Sequence, residues 1–149
     1  VALHGSIDQR WFVTMTCAQI IEEGRRLRIA RAGHCPALLI QSGTGCYSRP
    51  KGIGLAIARP RLFEANLEVE DREFLSGEYV IFMSDGIPEA RSPDGDEFGY
   101  ERILETVERG AAENLDPRAI RDHLFGEIET FRRGEPPHDD STIVVLQWK

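Results

Sequence analysis

Three aspartates stand where short polar motifs meet apolar runs, an arrangement suited to a hard divalent cation. Asp85 lies in Met83-Ser84-Asp85-Gly86, at the end of the run Tyr79-Val80-Ile81-Phe82. Asp139 and Asp140 lie in His138-Asp139-Asp140-Ser141-Thr142, which feeds into Ile143-Val144-Val145-Leu146. Both runs read as fully buried strands, so each motif sits at a strand mouth, where packing fixes geometry. Mg²⁺ and Mn²⁺ prefer carboxylate and water oxygens. Taken alone, either motif also reads as a turn, because Asp-Gly is common in turns and acidic pairs cap loops. The metal reading requires Asp85 and one of Asp139 or Asp140 to meet at adjacent strand ends, with oxygens within roughly 5 Å of each other.

Other polar clusters carry less. Pro50-Lys51-Gly52-Ile53-Gly54 is glycine-rich but lacks the spacing and the following helix of a phosphate loop, so it reads as a turn. Asp94-Gly95-Asp96-Glu97 lacks the ligand spacing and distal glutamate of a calcium loop. Glu89 and Arg91 read as solvated side chains rather than an ion pair. His138 beside Asp139 invites comparison with helical His-Asp phosphohydrolases. Those need several histidines, and here there are four, one of which, His123, falls within a helical stretch.

The elements that must position these groups read as strands first, then helices, then a final strand. Trp11 to Ile21 alternates as a strand, with Val13, Met15 and Cys17 on its apolar side. Glu22-Glu23-Gly24 is a hairpin turn and Arg25 to Ala30 the return strand, whose arginines, with Arg31, read as mostly solvated. Ala37 to Gln41 is a third strand, and Ser42 to Gly45 turns into Cys46-Tyr47-Ser48. Phe63-Ala65-Leu67-Val69 alternates with polar residues and predicts a half-buried strand. Ser76-Gly77 turns into a buried strand from Glu78 to Ser84. Tyr100 to Ala112 predicts a helix burying Ile103, Leu104, Val107 and Ala111. Asp116-Pro117 reads as an N-cap and first-turn proline of a second helix, burying Ile120, Leu124, Ile128 and Phe131. Gly134-Glu135-Pro136-Pro137 ends it. This order indicates an α+β fold.

The 149 residues suffice for one domain with a real core, read here as residues 1–149. Apolar residues make up 41% and charged residues 29%, the balance of a soluble globular protein. No run approaches the roughly 20 apolar residues of a membrane span. With 18 basic and 25 acidic residues the net charge is −7, so phosphate backbones would repel the chain and nucleic acid is a poor partner. Cys17, Cys35 and Cys46 are odd in number and form no Cys-x-x-Cys pair, pointing to a reducing cytoplasm. Cys17 is expected to pack as a small apolar residue.

Read in order, Ala32-Gly33-His34-Cys35-Pro36, Gly52-Ile53-Gly54-Leu55, Ser76-Gly77-Glu78-Tyr79-Val80-Ile81-Phe82-Met83-Ser84-Asp85-Gly86, Ile87-Pro88-Glu89-Ala90-Arg91, Asp96-Glu97-Phe98-Gly99 and Asp139-Asp140-Ser141-Thr142 resemble the motifs of bacterial PP2C-type serine/threonine phosphatases of the SpoIIE/RsbU branch. The resemblance runs from about Trp11 to the last residue. It implies a sandwich of two antiparallel β-sheets flanked by helices, and two Mn²⁺ or Mg²⁺ ions in the complete domain. It places metal ligands at Asp85 and Asp139, with Asp140 beside them. Gly86 would permit the tight turn after Asp85, and Thr142 would offer a hydroxyl to orient a carboxylate. His34 occupies a family position, for which a structural hydrogen bond is preferred over a general-acid role.

The family also opens with an aspartate motif that bridges the two ions. The segment before Trp11 holds only His4-Gly5 and Asp8 in a different arrangement, so the chain is expected to be an N-terminally incomplete phosphatase domain, inactive or weakly active alone. The implied substrate is a phosphorylated regulatory protein such as an anti-sigma-factor antagonist in bacterial stress-response signalling. A sensory or receiver domain is expected upstream. The rival reading is a non-catalytic regulatory or protein-binding domain built on a degenerate PP2C fold.

Overall fold

The computed structural model describes residues 11–21 and 25–149. The His4-Gly5 and Asp8 positions and the Glu22-Glu23-Gly24 turn lie outside the described residues. Two compact units emerge, Val1–Pro36 with Ser48–Phe74, and Ala37–Tyr47 with Leu75–Lys149. Together they supply two antiparallel sheets plus helices.

The first unit holds a three-stranded sheet in the order β1 (Met15–Ile21), β2 (Arg26–Ala32), β5 (Val69–Glu73). Leu27, Ile29 and Ala32 of β2 are buried, as is Phe74 just beyond β5. Arg26 and Arg28 both bind Asp71 across the β2–β5 pair, at 2.7 and 3.1 Å, so they are paired rather than merely solvated. Gly52 shows why the glycine-rich turn must be glycine: a Cβ there would lie 1.7 Å from the Arg31 carbonyl oxygen.

Two further expectations fail in this unit. The alternating segment from Phe63 to Val69 is not a strand; residues Pro60–Ala65 form helix α1, and β5 begins only at Val69. Pro60 is the cause, because its fixed φ and missing N–H suit a helix's first turn. Asn66 then closes the helix, its side-chain amide donating to the Leu62 carbonyl at 2.8 Å. Cys17 does not pack inside either. It is exposed, and Val13 and Met15 keep 42% and 45% of their surface, because β1 is the edge strand of its sheet.

The second unit carries the sheet order β4 (Thr44–Ser48), β3 (Ala37–Gln41), β6 (Tyr79–Met83), β7 (Ile143–Gln147). Leu38, Leu39 and Ile40 of β3 and Val80 and Ile81 of β6 are buried at the centre of that sheet. Helix α2 (Gly99–Ala112) packs on β3 and on α3 (Pro117–Arg132), and α3 packs on β7. The buried line of α2 is Ile103, Thr106, Val107 and Gly110, so the helix is rotated from the predicted face, leaving Leu104 and Ala111 half-buried. On α3, Ile120, Leu124 and Ile128 are buried as predicted, but Arg132 takes the fourth position. Phe131 is half-buried, edge-on to Phe98 and beneath the Arg102 guanidinium.

The run Ile143 to Leu146 is not fully buried. As an edge strand β7 alternates, leaving Val144 and Leu146 with 46% and 42% of their surface exposed. Its far end is tied to the start of β6: Gly77 N–H donates to the Trp148 carbonyl at 2.8 Å and Trp148 N–H to the Glu78 carbonyl at 3.1 Å. The buried Glu78 carboxylate accepts from Leu75 N–H and the Gln41 amide, at 2.8 and 3.0 Å, which satisfies a charge that would otherwise be costly there.

Leu124, with no exposed surface, is enclosed by the helical layer. Leu124→Ala should lower unfolding free energy by about 2–5 kcal/mol, measured by urea denaturation.

Asp116 caps α3, accepting from Arg118 and Ala119 N–H at 2.9 Å, and these bonds hold its carboxyl below the ordinary 3.8. Asp71 is held down likewise, first by hydrogen bonds from Arg26 and Arg28. A depressed folded pKa gives stability that is complete above the unfolded value and lost as pH falls through the folded one. The Asp71→Asn, Asp116→Asn double variant should therefore lose less stability than wild type between about pH 5 and pH 2, read from denaturation midpoints across that window.

Candidate metal centre

Strands β6 and β7 run antiparallel, with Tyr79 opposite Gln147 and Met83 opposite Ile143. One step beyond, Ser84 N–H donates to the Thr142 carbonyl at 3.0 Å. Continuing this register sets Asp85 across from Ser141 and Gly86 across from Asp140. The exit of β6 and the entry of β7 thus share one end of the sheet, and the aspartate motifs meet there.

Side chains lock the meeting. Ser84 Oγ donates to the Asp140 carbonyl and accepts from Thr142 N–H, both at 2.9 Å. Ser141 Oγ donates to the Gly86 carbonyl at 3.3 Å. A Cβ on Gly86 would stand 2.6 Å from the Asp140 carbonyl oxygen, so glycine is required for this close approach. After Asp85 the chain turns at once, with Ile87 N–H donating to the Ser84 carbonyl at 3.2 Å and Glu89 N–H to the Asp85 carbonyl at 3.0 Å. Ile87 is buried and anchors the turn.

Asp85, Asp139 and Asp140 are all exposed at this end. The Asp139 carboxylate accepts from Asp140 N–H at 2.7 Å. Beside Asp139 lies a cavity of about 190 Å³ lined by Gly86, Arg91, Ile128, Arg132, Pro137 and His138, among others. Glu89 and Arg91 line it without pairing to each other. Asp94, from the rejected calcium motif, instead binds Arg133 at 3.2 Å.

The remaining candidates take other places. Thr142 engages through its backbone, while Ser84 and Ser141 supply the hydroxyls. Sequence reasoning passed over these two serines, whose hydroxyls tie the two aspartate-bearing backbones together. Their signal was a hydroxyl directly beside each aspartate. His34 belongs to the first unit, where Nδ1 meets Thr14 Oγ1 at 2.9 Å and its carbonyl accepts from Arg31 Nη1 at 3.0 Å.

The donor chemistry fits a hard divalent ion: exposed carboxylates beside main-chain carbonyls, on a hydrogen-bonded frame. The number of donors is short of a full shell, since no cluster of three or more His, Cys, Asp or Glu side chains forms among the described residues.

The family model of stage II sporulation protein E (SpoIIE) matches residues 1–149. Protein IcfG of Synechocystis sp. is 29% identical over 146 residues, covering 96% of this chain and 21% of that protein. Phosphoserine phosphatase RsbU of Bacillus subtilis is 24% identical over 148 residues, covering 97% of this chain and 41% of that protein. The chain therefore spans less than half the length of these relatives. The phosphatase domain of the cell-fate determinant SpoIIE from Bacillus subtilis, in its manganese-presoaked form, superposes with a TM-score of 0.66 at 22% identity, over 91% of this chain and 56% of that one.

Gly86→Ala should force the Asp140 carbonyl away, at a cost of about 1–3 kcal/mol. Urea denaturation measures the loss, and faster amide exchange confined to residues 139–142 and 84–87 locates it.

Proposed function

The chain belongs to the SpoIIE family, and we propose that it carries part of the metal site of a PP2C-type protein phosphatase acting on phosphoserine or phosphothreonine. One observation carries this reading: the β6–β7 register brings Asp85 and the Asp139-Asp140 pair to one end of adjacent strands. The family resemblance supports a small phosphorylated regulator, such as an anti-sigma-factor antagonist, as the substrate, and a sensory or receiver module elsewhere in the polypeptide. Among the described residues no helix is long and apolar enough to cross a membrane.

Asp85 and Asp139 would hold the Mn²⁺ or Mg²⁺ ions, with Asp140 alongside. Bound ions of this kind supply an activated water and neutralise phosphoryl oxygens. The chain's own residues prepare the place. Ser84 and Ser141 fix the two backbones against each other, Gly86 allows their contact, and Asp140 N–H orients the Asp139 carboxylate. The exposure of the carboxylates leaves room for water and a phosphoryl group.

A second reading, a non-catalytic binding domain on the same fold, draws support from the small number of converging ligand side chains among the described residues. The two readings part in the full natural polypeptide. Asp85→Asn, which keeps size and removes charge, should reduce Mn²⁺-dependent turnover of a phosphoserine peptide by at least about a hundredfold while leaving the melting temperature within a few degrees. Equal turnover in both proteins rejects Asp85 as a ligand. A wild type inert with every divalent ion and several phosphoproteins favours the binding domain.

A further inference from the structure

Arg132 is a charged side chain in an apolar position. It is the fourth buried residue on the inner line of α3, with 9% of its surface exposed, after Ile120, Leu124 and Ile128. A buried guanidinium must be paired or it destabilises the fold. Here Nη1 donates to Glu129 Oε1 at 2.7 Å, one helical turn back, and Nη2 donates to the Glu135 carbonyl, beyond the helix end. Glu135 N–H returns a bond to the Arg132 carbonyl at 3.0 Å. The planar guanidinium therefore clasps the first residues of the loop leading to the metal motif.

That loop has little else to hold it. Residues 133–142 are all exposed, and the cavity beside Asp139 is lined both by Pro136, Pro137 and His138 of the loop and by Ile128 and Arg132 of α3. A segment over a void gains no packing support along its length. Its path is fixed at its ends. Ser84 holds the downstream end through Asp140 and Thr142. At the upstream end the helix stops with Arg133 in the left-handed region at φ 48°, its side chain on Asp94, and Arg132 fixes the exit direction.

We propose that Arg132 is the positioning residue for Asp139, presetting the loop so that the carboxylate is in place before a divalent ion arrives. Arg132 does not touch the ion; it acts through the Glu135 carbonyl and the loop. The inference rests on the metal reading of Asp85 and Asp139 given above.

The test uses the full natural polypeptide with Arg132→Met, which keeps the apolar stem and loses every donor, and Arg132→Lys, which keeps the charge without the two-armed geometry. Mn²⁺ binding is measured by isothermal titration calorimetry, and amide exchange reports loop order without metal. Removing a residue that orients a ligand weakens metal binding about ten- to a hundredfold. Arg132→Met should therefore raise the Mn²⁺ dissociation constant about tenfold or more, with Arg132→Lys between it and wild type. Amides 135–140 should exchange faster in the Met variant, and saturating Mn²⁺ should restore its turnover. An unchanged Mn²⁺ dissociation constant in Arg132→Met overturns the positioning role, as does a loss of turnover that excess Mn²⁺ fails to restore. Should the Met variant not fold, the Lys variant decides by the same titration. A wild type that binds no Mn²⁺ rejects the metal reading itself, and Arg132 with it; wild-type binding with an unaltered variant rejects Arg132 alone.

Discussion

The pairing register of β6 with β7 governs the candidate site, because two segments more than fifty residues apart in sequence meet only through it. Met83 stands opposite Ile143, and the next pair, Ser84 with Thr142, turns a backbone ladder into a side-chain lock. A slip of one residue would turn every side chain of β7 to the opposite face and unseat Ser84 from Asp140. The buried centre of the sheet, Val80 and Ile81 against Leu38 and Leu39, guards that register, since a slip there would tear apart a packed apolar layer. Core packing and site geometry are thus one constraint expressed at two ends of the same strand.

The net charge of −7 sharpens what the site must do. An acidic protein repels a phosphorylated partner at long range, and exposed aspartates add to this locally. Under the proposed metal reading, cations held there would change the sign of the local field. The serines contribute by a different route. Neutral hydroxyls hold the aspartate-bearing backbones together without adding charge.

Much of this was legible in the sequence where the signal was local. Asp116-Pro117 names its own helix start, Ala37 to Gln41 its strand, and the two apolar runs flanked by acidic motifs name the paired strands β6 and β7. What escaped depends on neighbours in space. Cys17, from alternation, and Val144, from a continuous apolar run, read as core because neither pattern can tell a central strand from an edge one. Phe63 to Val69 alternates convincingly, yet the helix that Pro60 starts runs into that stretch as far as Ala65. Arg132 continues the spacing of Ile120, Leu124 and Ile128, but no periodicity argument places arginine inside. The Glu129 carboxylate one turn back and the Glu135 carbonyl, brought round by the helix end, together make the position tolerable.

The knot that Trp148 ties with Gly77 and Glu78 gives the sheet two functionally unlike poles. Strand β7 leaves the aspartate pole and travels five residues before reaching that knot, a path of about 17 Å at the usual strand rise. Whatever is covalently joined after Lys149 consequently departs from the pole remote from Asp85 and Asp139. A fluorophore or surface tether attached there leaves the approach to Asp85 and Asp139 open. The same label inserted between Pro136 and His138 would sit in the doorway. For immobilisation or single-molecule work a position following Lys149 is the benign handle, provided the Trp148 backbone keeps its two hydrogen bonds.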